Sequence, residues 1–402
     1  MKNIRNNARL AEPPPAGAVC EVRRHGLGMA AILATGTFAV GTDAYIIAGF
    51  LPEMAQTFAV SNAAAGQSLT VFAICYAVMS PILATLTTKL PRRPLLIAAL
   101  VLLSAANIFG SLSSTLWQLL GARALAAFGA AIYTPNAGAV AARLVSQEQR
   151  GRALSIVIGG LTLSTALGVP LGSLASHWLG WRAALMIVSG LSLLAAVGIG
   201  WSLPKLSGQA AVPLKERLVV VRHPGVRSVL LLTILGMGAT YTVYAYSLPV
   251  MAEVGVNRPE AVFMLFLYGV GAVFGTLASG HATDRYGPRR ILFANYAMMT
   301  TAFMLFASTV GQDHLLTVLV AGFASFFWGA TSFAQTPPQQ HRLIALEPKQ
   351  SALVLSLNAS AIYIGIGLGT MLGGIAIIHG AQAIFLTAGA IAICAFLYVL
   401  GT

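Results

Sequence analysis

The stretch GTDAYIIAGFLPEMA (residues 41–55) places Asp43 inside an apolar run that begins near Leu27 and ends near Leu51. A carboxylate in hydrocarbon costs about 3 kcal/mol or more unless it is paired, hydrated or protonated. One other formal charge falls inside an apolar run, Arg123 in RALAAFG. Asp43 lies about eight residues from the end of the first run and Arg123 about six from the start of the fourth. At the helical rise both sit about 9–12 Å below the same membrane surface. An acid and a base at one depth can pair, which offsets the burial cost of each. The cation favours the ionised carboxylate, whereas burial favours the neutral acid. An environment that alternates between these two conditions would let the acid bind a proton on one side and release it on the other. A static pair that only fixes helix packing is the plainer alternative.

A second, softer set of candidates comprises Tyr45, Tyr133, Asn136, Tyr241, Tyr244, Trp328, Gln335, Asn358 and Tyr363, all polar or amphipathic and all within apolar runs. Aromatic walls with a few polar groups suit small amphipathic ligands. With one net-neutral charge pair beside them, a neutral or weakly cationic substrate is expected. Enzymatic groupings are missing: there is no H-E-x-x-H, no phosphate-binding loop with lysine and no G-x-S-x-G. The seven histidines fall in tails, loops or run ends, and Cys20, Cys75 and Cys394 lack metal or disulfide spacing. No metal, cofactor or enzymatic activity is expected. A channel would more plausibly be built from repeated subunits.

The elements that position these residues follow from composition. Hydrophobic residues make up 57% of the 402 and charged residues 9%, against roughly 25% charged in a soluble domain. Mean hydropathy is +0.79. About twelve runs are long enough to cross a bilayer as helices. They start near Leu27, Gly66, Pro94, Gln118, Ala153, Arg182, Ser228, Val262, Ile291, Leu315, Ala352 and Ala381. All but three of the 24 lysines and arginines fall in alternate connections; the exceptions are Arg182 and Arg258 in the opposite loops and Arg123. By the positive-inside rule both termini face the cytoplasm. The net charge of +13 is therefore topological, spread over six short loops, and nucleic acid is not an expected partner.

The chain also repeats. LPEMA (residues 51–55) recurs as LPVMA (248–252), and Gly168 and Gly172 map onto Gly365 and Gly369 at the same offset of 197. An even number of spans separates the copies, so the halves run parallel and face each other across a central cavity. The expected organisation is a cytoplasmic tail (1–26), a six-helix bundle (27–203), a cytoplasmic linker (204–227) and a second six-helix bundle (228–402). One chain supplies both halves, so a monomer is expected.

These features resemble the major facilitator superfamily, and within it the twelve-span drug:proton antiporters of bacteria that export sugars, nucleosides or drugs. The loop signature G-x-x-x-D-R-x-G-x-R-R stands at Gly280, Asp284, Arg285, Gly287, Arg289 and Arg290. Its first-half copy reads Ala84, Thr88, Lys89, Pro91, Arg92 and Arg93, with no acid. The fifth span carries Gly159, Gly160, Gly168, Pro170 and Gly172, which match the antiporter signature; RGRAL (150–154), GWRAA (180–184) and TPPQQHRL (336–343) fit the same subgroup.

The resemblance implies an all-α fold of twelve membrane helices in two halves related by a pseudo-two-fold axis, set in the bacterial inner membrane. It implies proton-coupled export of a small molecule by alternating access; an importer or uniporter of the same fold is the nearer rival. Gly160, Gly168, Gly172, Gly365 and Gly369 permit close helix approach and Pro170 removes a helical hydrogen bond, so a rocking interface between halves is the role implied for them. Asp284 is expected to pair with neighbouring arginines or to cap a helix. If the orientation is right, a fluorescent protein fused after Thr402 will fluoresce and alkaline phosphatase fused there will be inactive; active phosphatase would invert the topology.

Overall fold

In lipid a backbone must satisfy its own hydrogen bonds, which leaves helices as the economical solution for a chain this apolar. The computed structural model describes residues 16–208 and 220–401, and is helical throughout, with no strand among them. Residues 1–15 of the expected tail and 209–219 of the expected linker lie outside the described residues. The long helices are α1 Ala16–Tyr45, α2 Asn62–Leu86, α3 Arg92–Ser111, α4 Leu116–Arg143, α5 Arg150–Leu179 and α6 Trp181–Ser202, followed by α7 Pro224–Tyr244, α8 Arg258–Tyr286, α9 Pro288–Ser308, α10 His314–Ala334, α11 Ser351–Ala376 and α12 Ala381–Gly401. Twelve helical segments are long and apolar enough to cross a membrane. The first helix begins at Ala16, eleven residues before the expected start at Leu27.

Local chemistry sets the ends. On the face opposite the basic loops, Ser61, Thr115, Asn257 and Asp313 each accept a bond from a first-turn N–H of α2, α4, α8 and α10. Thr115 with Gln118 and Asn257 with Glu260 form reciprocal capping boxes. On the basic face, α8 turns into α9 through the single residue Gly287, whose φ of +83° an L side chain rarely adopts. That conformation accounts for the glycine in the loop signature.

The first six helices pack among themselves, and the last six likewise. Contacts of α1 with α5, α2 with α4 and α3 with α6 recur as α7 with α11, α8 with α10 and α9 with α12. The two LP-x-MA copies occupy equivalent short helices, Leu51–Thr57 and Ser247–Glu253, at the opposite face. The halves meet where α2 packs on α11 and α5 on α8.

The glycines expected between halves sit elsewhere. A Cβ at Gly160 would strike the Ala34 carbonyl and one at Gly168 would press on Thr42, both on α1, and one at Gly172 would strike Ile46 just after its end. Gly365 and Gly369 pack on Ile234, Met237 and Gly238 of α7. Each glycine pair therefore seats a helix against the first helix of its own half. Pro170 lies within α5, which continues as one helix to Leu179. Between halves the close approaches are Gly269 against Ala166, Gly66 against Tyr246 and Gly367 against Ile74. A Cβ at Gly280 meets nothing within 4 Å.

Overpacking of a close helix contact costs about 1–3 kcal/mol. Gly369→Val will therefore lower the thermal midpoint of the purified protein, whereas Gly280→Ala will leave it unchanged or slightly raised. Equal effects would show that Gly369 is not a packing site.

Candidate functional site

Asp43 and Arg123 are paired. Arg123 Nη1 donates to Asp43 Oδ1 at 2.8 Å, with side-chain exposures of 2% and 0%. The α-helical part of the first span ends at Tyr45, so the Asp43 carbonyl belongs to a last turn whose acceptors lack helical partners. Arg123 Nη2 donates to that carbonyl at 2.9 Å. One guanidinium thus satisfies both the charge and the backbone at the end of α1. Its carbon lies 4.5 Å from the centre of the Phe72 ring on α2, a cation–π contact that adds to its stabilisation. Asp43 Oδ2 and Arg123 Nε are buried without hydrogen-bond partners. The carboxylate therefore keeps one oxygen available to a proton or a ligand.

Aromatic rings connect this pair to the other half. Phe72 neighbours Tyr76 and Tyr363, with centroids 6.4 and 6.3 Å away. Tyr76 and Tyr363 stack across the interface at 3.7 Å and 24°, and Tyr363 lies within electrostatic reach of Asp43. Two residues after Asp43, Tyr45 meets Tyr241 and Tyr244 of α7, each at 6.2 Å. Tyr244 continues to Tyr268 at 5.1 Å and Trp328 at 6.0 Å, and Tyr268 touches Trp328 at 4.5 Å. The Tyr244 hydroxyl and the Trp328 indole N–H are buried with no hydrogen-bond partner among the described residues, whereas the Tyr241 hydroxyl lies within reach of Tyr45 and that of Tyr268 within reach of Ser332. Such orphaned groups cost about 1–3 kcal/mol each when left dry, so this cluster is suited to water or a polar ligand.

The structure thus brings together Asp43, Arg123, Tyr45, Tyr241, Tyr244, Trp328 and Tyr363. It adds Phe72, Tyr76 and Tyr268, which the sequence reading missed because an aromatic residue at helical spacing looks like ordinary core. It does not bring the other four to the cluster. Tyr133 donates to the Leu33 carbonyl at 2.9 Å and fills the space over Gly36. Asn136 accepts from Arg92 at 2.7 Å, towards the basic face. Gln335 accepts from Tyr296 at 2.8 Å, and Asn358 accepts from Thr233 at 3.0 Å. These polar groups serve packing within a half.

Every ring contact and ion pair between halves among the described residues lies within about four helical turns of the opposite-face ends. At that face Glu53, in the short helix after α1, pairs with Arg258 at the start of α8. At the basic face Asp284 is exposed and makes no ion pair among the described residues. Arg285 lies over its neighbour Tyr286, and Arg289 donates to the Leu400 carbonyl within the same half. Arg290 is exposed. The ring contacts and the ion pair between halves among the described residues therefore gather towards the opposite face.

Removing one partner of a buried pair leaves an uncompensated charge and costs about 3–5 kcal/mol. Asp43→Ala will show that loss in denaturation of the purified protein. The double variant Asp43→Leu with Arg123→Met will recover most of it; a further loss in the double variant would exclude the pair as the cause.

The Major Facilitator Superfamily model matches residues 33–345 and 229–402. The MFS-type transporter YbcL of Bacillus subtilis is 31% identical over 86% of this chain and 87% of its own length. The inner membrane transport protein YdhP of Escherichia coli K12 is 30% identical over 87% and 88%. Among solved structures, a bacterial homologue of the lysosomal transporter Spinster, inward-facing and unoccupied, superposes with TM-score 0.72 at 18% identity over 94% of this chain and 95% of its own. The D-xylose–proton symporter superposes with TM-score 0.75 at 15% identity over 92% and 96%; these two likenesses show the fold. Twelve membrane helices in two similar halves, joined across a buried ion pair and an aromatic cluster, are accounted for by one conclusion: this chain belongs to the Major Facilitator Superfamily.

Proposed function

We propose that this transporter is a proton-coupled exporter of a small neutral or weakly cationic molecule, working by alternating access in the bacterial inner membrane. The observation that carries the reading is the dry Asp43–Arg123 pair, placed next to the rings that join the halves. When the halves part on the opposite side, Tyr76 separates from Tyr363 and Tyr45 from Tyr241 and Tyr244. Water then reaches Asp43, and a proton can occupy its free oxygen. When the halves close, Arg123 again meets a dry carboxylate, and the proton leaves towards the basic side.

The basic loops support a cytoplasmic assignment for their face. The contacts between halves then describe a state closed to the outside, in which cargo enters from the cytoplasm. The Glu53–Arg258 pair closes that outer side. Partly exposed pairs contribute up to about 1 kcal/mol, small enough to be broken in every cycle. The tyrosine–tryptophan cluster is the proposed cargo site, and Asp284 with its arginines is proposed to engage only when the cytoplasmic side closes. The xylose symporter runs with protons on the same fold, which is compatible with coupling here.

The test is efflux from cells that express matched amounts of wild type or Asp43→Asn, over a panel of drugs, sugars and nucleosides, with and without a protonophore. Export by the wild type that both the variant and the protonophore abolish is the expected result. Export that survives both would make Asp43 structural and the protein a uniporter.

A further inference from the structure

The basic face of the first half carries an arrangement that topology does not require. Lys89, Arg92, Arg93, Arg143 and Lys205 converge where the loop between α2 and α3 meets the segment after α6. Backbone and side-chain bonds stitch the two together: Arg92 N donates to the Leu206 carbonyl at 2.9 Å, Arg143 to the Ser207 carbonyl at 3.0 Å, and Arg93 to the Gly200 carbonyl. Arg92 is 5% exposed, and its guanidinium is held by the Asn136 amide oxygen and the Thr88 carbonyl. Among the described residues none of the five makes an ion pair. The internal repeat explains the deficit: Thr88 stands where the second-half copy has Asp284. Positive-inside orientation needs cations in the loop, but not their convergence without a counter-ion, nor the burial of one of them.

These cations border a groove of about 630 Å³ lined by Pro91, Arg93, Pro94, Ile97, Lys205 and Leu206. One wall is cationic and the rest apolar. Its depth is marked by Trp201 on α6, which is 87% exposed; tryptophans in that position sit at the headgroup level. Below it, Leu194 and Val197 of α6 and Val101 of α3 present exposed apolar surface. A ligand here meets cations at one end and hydrocarbon at the other.

We infer that this groove binds the headgroup of an anionic phospholipid from the leaflet on the basic face, its phosphate between Arg93 and Lys205 and its acyl chains along α3 and α6. A free phosphate would satisfy the cations and leave the apolar wall unused. A zwitterionic lipid would bring its own cation into a cluster that pairs with no acid among the described residues. The site is independent of proton coupling at Asp43.

Native mass spectrometry of the full-length protein in non-ionic detergent tests this, with phosphatidylglycerol and phosphatidylcholine of matched chains. Phosphatidylglycerol adducts are expected to survive activation that strips phosphatidylcholine. Each basic residue near a membrane surface contributes about fivefold in affinity for anionic lipid. Lys205→Gln should therefore weaken phosphatidylglycerol retention about fivefold, and Arg93→Gln with Lys205→Gln should weaken it further, with phosphatidylcholine unmoved. Lys205 makes no hydrogen bond among the described residues, so its single variant keeps the test valid if the double variant folds poorly. Equal retention of the two lipids, or unchanged phosphatidylglycerol retention in Lys205→Gln, would overturn the inference. So would full displacement of the lipid by millimolar glycerol phosphate, which would mark a free-phosphate site.

Discussion

Arg123 cannot be buried alone, and neither can Asp43. A guanidinium at 2% exposure and a carboxylate at 0% each require the other, because either one unpaired in this setting would cost more than a helix contact returns. That mutual requirement ties α1 to α4, and the face of the guanidinium draws α2 in through Phe72. Three helices of one half are thereby fixed around one charge pair. The rings that reach the other half, Tyr45 and Tyr76, stand on α1 and α2 themselves. The charge pair and the ring contacts between halves therefore share the same two helices.

The glycines give each half its stiffness. Without a hydrophobic drive between helices in lipid, association rests on close packing, and α5 on α1 and α11 on α7 approach where glycines leave room. The interface between halves is held differently. Among the described residues it has ring contacts, a few close glycine approaches and the single ion pair Glu53–Arg258.

The loop signature has diverged in the same direction in which its copies differ in charge. In the second half Asp284 is present and exposed; in the first half Thr88 uses its hydroxyl on the Ala84 carbonyl, and Arg92 turns inward to Asn136. One copy keeps a carboxylate that is free to engage. The other borders a cation-rich groove whose arginines and lysines pair with no acid among the described residues.

The sequence by itself determined the twelve helices, the parallel repeat and the alternation of basic loops, because hydrocarbon thickness and backbone hydrogen bonding leave a greasy chain few alternatives. It also pointed to Asp43 and Arg123, since intramembrane charges are rare enough to stand out and helical rise sets their depth. Tertiary structure decided what a one-dimensional pattern cannot hold. A glycine shows that some backbone comes close, but not which one, and those of α5 and α11 face their own halves rather than the partner half. A tyrosine or amide in a span shows a polar group to be satisfied, but not by what; Tyr133, Asn136, Gln335 and Asn358 found partners in their own bundles, whereas Tyr244 found none among the described residues. Phe72, Tyr76 and Tyr268 look like core in any single helix, and only the crossing of α2 with α4 and α11 and of α8 with α10 makes them neighbours of the charge pair and the tyrosine–tryptophan cluster.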